Sequence, residues 1–237
     1  MENDLQFRGG NPGAVQFGNF MNYYQFHSPK ERIKLLPKHI WKAGKPCVVL
    51  DIGCNSGILT EAIKEFLKEN IMEDISILAV DIDPLLITRA KENSTNDITF
   101  HCLDIMDISR RDDIINEYLK NKHIEKFSVV FCFSTTMWIH LNYGDGGLRS
   151  FLEYIAGIGE IVIVEPQPWK CYRSAVKRMK QANFTFPLFS SLKMRETIER
   201  DIEIILSLQS LEKITESERT KWERKLLIYK YSYSNSS

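Results

Sequence analysis

A doubly wound α/β fold, Rossmann-like, with a parallel sheet finished by a terminal antiparallel hairpin, is what this chain of 237 residues predicts. Three observations point there. From Cys47 onward, apolar runs of strand length alternate with segments of helical period. The first run, "CVVLDI", ends in a glycine-bearing loop, "LDIGCNSG", that opens directly into the helical pattern "SGILTEAIKEFLKE". The last two apolar runs follow one another with no helix between them. Strand and helix alternating at short spacing imply a parallel sheet. No repeat, low-complexity tract or linker divides the chain, so residues 17–237 are read as one domain. Residues 1–16, polar and marked by Gly and Pro, are read as a flexible segment.

In chain order, "SPKERIKLL" reads as a helix start, with Ser28 as cap, Pro29 in the first turn and Glu31 completing a capping box. "CVVLDI" is the first strand, and its helix runs to about Glu69. "SILAVDI" is the second; Asp83 then caps a helix carrying Pro84 in its first turn, to about Asn93. "ITFHCLDI" is the third, with a helix near 111–121. "FSVVFCFS" is the fourth, followed by a helix over "DGGLRSFLEYI". "EIVIVEP" is the fifth, with a helix over roughly 168–182 and another near 192–207. "LEKITES" and "KLLIYKY" are the closing strands, the second bounded by Trp222.

Composition narrows the class. The chain is 43% hydrophobic and 26% charged, with formal net charge zero, which suits a packed core and not a disordered chain. No stretch approaches 18 apolar residues, and the start lacks the basic-plus-apolar pattern of a signal peptide. None of the five cysteines forms C-x-x-C, and four sit in or beside predicted strands, so they read as reduced core residues of a cytoplasmic protein. The five histidines show no ligand spacing, so no metal site is expected. Charge is unevenly placed. Pro166 to Arg195 holds seven basic residues and no acid, and Lys30 to Lys45 holds six basic residues against Glu31 alone. Such runs are commonly solvated faces; beside a ligand loop they also suit an anion.

The loop selects the ligand. A dinucleotide fingerprint, G-x-G-x-x-G, would require glycine at Asn55 and Ile58 and fails at both. The frame D-x-G-x-x-x-G fits, with Asp51, Gly53, Asn55 and Gly57, and resembles the first motif of class I S-adenosylmethionine-dependent methyltransferases. Asn55 stands where the middle glycine usually lies; asparagine tolerates a left-handed backbone, and its amide can bond the cofactor's amino-acid moiety. Asp51 suits the sulfonium and ammonium charges of that cofactor. Asp81, at the end of the second strand, is placed to accept both ribose hydroxyls. Asp104, after the third, is placed to accept from the adenine amino group, with Ile82 and Ile105 sandwiching the ring. One loop acid alone would read as a helix cap. Three at the carboxyl ends of consecutive strands point to the ligand edge of such a sheet.

The N/D-P-P-Y motif of base amino-methyltransferases is missing after the fourth strand, where "CFSTTMWIHLNYGD" stands. Five segments, "FGNFMNYYQFHSPKERIKLLP", "LDIGCNSG", "DIDP", "MWIHLNYGD" and "EPQPWKCY", together resemble the bicoid-interacting-protein-three methyltransferases, over about residues 16–185 and again near Trp222. That family methylates 5′-terminal phosphates of RNA. The short chain, "PWKCYR" and "WIHLNYGD" resemble its 5′-monophosphate branch, which acts on histidine tRNA and is linked to precursor microRNAs, more than the branch that caps a γ-phosphate. The resemblance implies S-adenosylmethionine as cofactor and a small structured RNA with a 5′-terminal phosphate as partner, for a monomer that engages no membrane. It implies that Arg32 reaches the cofactor carboxylate, and that Asn55, Asp81, Asp104, Ile105 and the backbone around Cys132 and Phe133 contact the cofactor. It puts Tyr23, Tyr24, His140, Lys170 and Arg173 in segments lining the acceptor pocket, with Lys177, Arg178 and Lys180 toward RNA backbone. Core packing competes for Tyr23 and Tyr24, as does a satisfied structural role for His140; Trp169 reads as a packing anchor. Two rivals keep the fold: a small-molecule or protein methyltransferase, and an RNA-binding partner that has lost catalysis.

Overall fold

The computed structural model describes residues 5–6, 13–41, 46–71, 74–94 and 97–232. Most of the segment read as flexible, and Lys42 and Lys45 of the first basic run, lie outside the described residues. Ala14 and Val15 are buried in the core, and the Gln16 side-chain amide donates to Asn142 Oδ1 while the Asn142 amide donates to the Gln16 backbone carbonyl.

Among the described residues seven strands form one sheet: β1 (Cys47–Ile52), β2 (Ile75–Asp81), β3 (Ile98–Cys102), β4 (Phe127–Phe133), β5 (Gly159–Glu165), β6 (Leu211–Glu216) and β7 (Leu227–Tyr231), in the order β3-β2-β1-β4-β5-β7-β6. The first five are parallel, and β7 runs antiparallel to both β5 and β6. The expected hairpin is present. Helices are α1 (Tyr23–Phe26), α2 (Pro29–Ile33), α3 (Ile58–Ile71), α4 (Pro84–Glu92), α5 (Ile108–Asn121), α6 (Thr136–Ile158), α7 (Trp169–Gln181) and α8 (Ile198–Ser207).

All six residues of β1 are buried, because helices cover both faces of the sheet; hence the unbroken apolar run. Val48, Leu50 and Ile52 join the core under α5, α6, α7 and α8, while Cys47 and Val49 join the core under α3 and α4. Edge strand β6 is mostly exposed and carries ion pairs from Lys213 and Lys225 to Glu203 and Glu216, a charged edge that resists pairing with another chain.

Local details differ from the sequence reading. Ser28 makes no side-chain cap bond and Glu31 pairs instead with Lys34, so the capping box does not form. Asp83 does cap α4, accepting from Leu85 N at 2.8 Å. The helix expected near 192–207 begins only at Ile198, because the N–H groups of Lys193 and Met194 donate to Asp145 instead. Helix α6 starts earlier than expected and kinks at Gly144, where φ is 71° and ψ −173°.

Since β1 neighbours both β2 and β4, the chain winds outward in both directions from that pair. This is the topological switch point, and the carboxyl ends of the strands open a crevice there.

Candidate active site

The loop after β1 forms the floor of the first cleft. Gly53 has φ 80°, and a Cβ there would stand 2.5 Å from Thr135 Oγ1, so the position requires glycine. Asn55 has φ 53°, the left-handed backbone expected of it. Its N–H donates to Asp81 Oδ2 at 2.8 Å, and its side-chain amide donates to the Phe20 carbonyl at 3.0 Å, tying the loop to the N-terminal segment. Gly57 packs toward Phe100 and Ala90 and does not line the cleft.

This open cleft spans about 840 Å³, the solvent at its mouth included. Gly53, Asn55, Asp81 and Ile82 line it from the ends of β1 and β2. Asp104 and Ile105 line it after β3, Phe133 at the end of β4, and Tyr23 and Tyr24 close it from α1. Asp51 lies just beneath, buried and accepting from Thr60 Oγ1 at 2.6 Å; Cys132 is buried behind Phe133. Burial pushes the Asp51 and Asp81 carboxyls up to about 6, against the hydrogen bonds that favour their charged forms. Two buried acids held this way gain from a cation or from hydroxyl donors. Asn19, also lining the cleft, has a buried Oδ1 with no partner. Asp104 accepts from Met106 N and from Tyr143 OH, each at 2.9 Å, so Tyr143 occupies a donor position above the third acid.

A second open cleft of about 1120 Å³, the solvent at its mouth included, adjoins the first, since Tyr23 and Trp138 line both. Its walls carry Lys170, Arg178 and Arg224 and, among the described residues, no acidic one. Between the clefts runs a buried polar network. Arg32, fully buried, donates to Glu165 at 3.0–3.1 Å, to Tyr23 OH at 2.7 Å and to Ser134 Oγ at 3.1 Å. Ser134 also donates to Glu165. Arg224 donates to Ser134 Oγ at 2.7 Å and to Tyr23 OH at 3.1 Å. His27 stacks on Tyr23 with ring centroids 4.7 Å apart; burial, then the charges of Arg224 and Arg32, push its imidazole down to about 3. It is neutral at pH 7.

Three sequence candidates sit elsewhere than expected. Arg32 lines neither cleft; its guanidinium is engaged by Glu165 and reaches the cleft wall only through Tyr23 and Ser134. His140 is fully buried, with Nδ1 3.1 Å from Tyr172 OH and Nε2 2.8 Å from Asp145 Oδ1. Burial lowers its pKa. It braces the kink at Gly144, since Asp145 in turn holds Lys193 N and Met194 N, and it faces no acceptor pocket. Arg173 lies on the neighbouring face of α7, over a shallow groove with Val176, Lys177 and Lys180, because the cleft face of that helix is Lys170, Cys171, Ser174 and Arg178. Lys170 does line the second cleft, paired with Glu223 at its rim. Trp169 stacks on Phe189 at 5.3 Å, a packing anchor as read.

Sequence reasoning passed over Arg224, Ser134, Glu165 and Gln167. Gln167 donates to the Ser134 carbonyl and holds Met137 N. The one signal for Arg224 was its position two residues after Trp222, beside the motif segment recurring there.

Comparison with known proteins agrees with this geometry. The family model described as bicoid-interacting protein 3 matches residues 127–231, and that of the ribosomal protein L11 methyltransferase matches residues 33–132. A Xenopus laevis pre-miRNA 5′-monophosphate methyltransferase is 40% identical over 92% of this chain and 93% of its own length. The Mus musculus RNA 5′-monophosphate methyltransferase is 37% identical over 95% and 86%. Among solved structures, the N-methyltransferase NodS of Bradyrhizobium japonicum, in complex with S-adenosyl-L-homocysteine, aligns with TM-score 0.52 at 13% identity over 79% of each chain. A chain of the complex between the Haloferax volcanii Trm112 methyltransferase activator and a methyltransferase aligns with TM-score 0.56 at 13% identity, over 92% and 93%. These two show the class I methyltransferase fold. On the identity and coverage of its relatives, the chain belongs to the bicoid-interacting protein 3 family.

Proposed function

We propose that this protein is an S-adenosylmethionine-dependent methyltransferase that transfers methyl to the 5′-terminal monophosphate of RNA. The observation that carries the reading is the 40% identity, across nearly the whole of both chains, to a relative named for that activity. An acid-free cationic cleft beside the strand-end cleft supports it.

The residues of the first cleft fit the cofactor. Asp81 has two oxygens for ribose hydroxyls, Asp104 one for the adenine amino group, and Ile82 and Ile105 supply apolar walls. Buried Asp51 and the unpartnered Asn19 Oδ1 offer negative charge and an acceptor. When bound, S-adenosylmethionine supplies a methyl group on a sulfonium, open to attack by an oxygen nucleophile.

The chain's own task is then alignment. A terminal phosphate, with a second pKa near 6, is mostly dianionic at pH 7 and needs no general base. Its oxygen must be held in line with the methyl carbon at roughly 3 Å. Tyr23 and Trp138, shared by the two clefts, mark where the reactants meet. Among the described residues no histidine serves there as a base: the pKa of His27 is pushed down to about 3 and His140 is buried away from that point.

Small structured RNA is the finer reading, with precursor microRNA supported by the names of the Xenopus laevis and Danio rerio relatives and histidine tRNA carried by the family resemblance. Monomeric action in the cytoplasm completes it, the five free cysteines being in keeping with a reducing compartment. The test is methyl transfer from labelled S-adenosylmethionine into a total small-RNA pool. Label on RNA ends, resistant to phosphatase, supports the reading; label within bases or riboses, or none, overturns it.

A further inference from the structure

We propose that Arg224, and not the lysine and arginine pair of α7, seats the methyl-accepting phosphate, an inference that rests on reading the second cleft as the acceptor site. Lys170 is half exposed at the rim and already paired with Glu223, and Arg173 lies outside the cleft. Arg224 instead enters from the segment before β7 and is 7% exposed while lining the cleft.

Its guanidinium is half engaged. Nη1 is fixed by Ser134 Oγ at 2.7 Å and Tyr23 OH at 3.1 Å. Nη2 meets only the Cys171 thiol, at 3.9 Å, and the buried Nε has no partner. The side left over, Nε with Nη2, is the planar edge that takes two phosphate oxygens at once. A buried donor without an acceptor is the exception in folded proteins and points to an absent partner.

Charge agrees. Two buried guanidiniums, Arg32 and Arg224, share the single carboxylate of Glu165, and Arg32 takes both of its oxygens. The groups that Arg224 contacts or faces directly, among the described residues, are Tyr23 and His27 of the N-terminal segment, the Cys171 thiol of α7 and Ser134 after β4, none of them an anion; the Glu165 carboxylate acts on it from behind Ser134, against the like charge of Arg32. One positive charge therefore remains uncompensated on the wall between the clefts, and a dianion balances it.

The stereochemistry also suits the reaction. A phosphate monoester has three terminal oxygens. Two on the guanidinium edge leave the third free to attack, while Tyr23, bonded to Arg224 and lining both clefts, fixes the phosphate toward the methyl donor. The bond formed is oxygen to methyl carbon, the bond broken is methyl carbon to sulfur, and the pair of electrons leaves on sulfur. No proton moves.

The test compares RNA carrying a 5′-monophosphate with the same RNA carrying a 5′-hydroxyl, on wild-type protein and on Arg224→Met and Arg224→Lys. Wild type should bind the phosphorylated end about tenfold or more tighter, as expected of a bidentate charged contact. Arg224→Met should erase that preference and lower kcat/KM on the monophosphate by about a hundredfold, with S-adenosyl-L-homocysteine affinity unchanged by calorimetry. Arg224→Lys, which keeps charge without the fork, should recover only part. Should Arg224→Met fail to fold, wild type suffices: a 5′-phosphorylated dinucleotide should protect Cys171 from alkylation by iodoacetamide, read by peptide mass, and its 5′-hydroxyl counterpart should not. A variant that keeps the end preference, or equal alkylation of Cys171 with both dinucleotides, overturns the proposal while wild-type methylation of the monophosphate leaves the function standing. Wild-type methylation that ignores the terminal phosphate overturns both.

Discussion

Replacing Asp81 by alanine should remove cofactor binding while leaving a folded protein. Asp81 sits at the end of β2, 8% exposed, with Oδ2 accepting from Asn55 N at 2.8 Å and Oδ1 from Asp83 N at 3.0 Å. Each oxygen keeps a second lone pair for a ligand hydroxyl. Two hydroxyl bonds to a charged acceptor are worth about 3–6 kcal/mol together, which is roughly a hundred- to ten-thousandfold in affinity. The lost bonds to Asn55 and Asp83 lower stability by about 1–3 kcal/mol, leaving the sheet intact. Burial raises the Asp81 carboxyl from the usual 3.8 to about 6. The ligand-free protein thus holds a proton there on the acid side of pH 6, and binding through the ionised carboxylate must release it. Affinity for S-adenosyl-L-homocysteine should rise as pH goes from 5 to 7 and then level. Asp51, raised likewise, contributes to that slope, so Asp81→Asn should flatten it in part. Isothermal titration calorimetry across this range, with circular dichroism to check folding, reads both effects. Unchanged affinity in Asp81→Ala, or affinity that falls between pH 5 and 7 in wild type, would refute the reasoning.

Other perturbations follow from the same geometry. Glu165→Gln leaves Arg32 and Arg224 facing each other without their shared carboxylate, so stability in urea should fall by about 3–5 kcal/mol, the usual result of breaking a buried ion pair from one side. His140→Ala should lower stability by about 2–3 kcal/mol through the orphaned Asp145 and Tyr172 partners, while the acid limb of kcat, set by the phosphate's own ionisation near pH 6, stays in place in a stopped-time methylation assay. Lys170→Met removes a rim charge already paired with Glu223, so kcat/KM on RNA should fall by no more than about tenfold, chiefly through KM and at low salt.

What the sequence disclosed depended on whether a signal was local. Strand β1 and the loop after it were legible because burial on both faces demands an unbroken apolar run and because Gly53 must turn under Thr135. The placement of Asp81 and Asp104 in one cleft was legible because Asp81 ends β2 and Asp104 follows β3 at the same sheet edge. The capping box failed because Glu31 had a competing partner in Lys34, three residues on at the end of the same helix. The two readings of His140 could not be separated because its partner Asp145 lies beyond a kink that no helical periodicity reveals, and Arg173 could not be told from Lys170 because lysines and arginines on α7 look alike until the cleft face is known. Arg32, Glu165, Ser134 and Arg224 meet only when α2, β5, β4 and the segment before β7 converge, with Arg32 and Glu165 separated by 133 residues. That network has no sequence pattern of its own.

The central claim is that the nucleophile is a 5′-terminal monophosphate. One transcript prepared with a 5′-monophosphate, a 5′-hydroxyl and a 5′-triphosphate, each incubated with labelled S-adenosylmethionine, tests it directly. The monophosphate should be labelled. The hydroxyl end should not, because an alcohol needs a base and, among the described residues, no histidine is placed and ionised to serve at the junction of the clefts; the triphosphate should be poor, because its reactive oxygens stand two phosphates farther out. Preferred labelling of the triphosphate would make the protein a γ-phosphate capping enzyme, and labelling indifferent to the end would place the acceptor on a base or ribose and contradict the account.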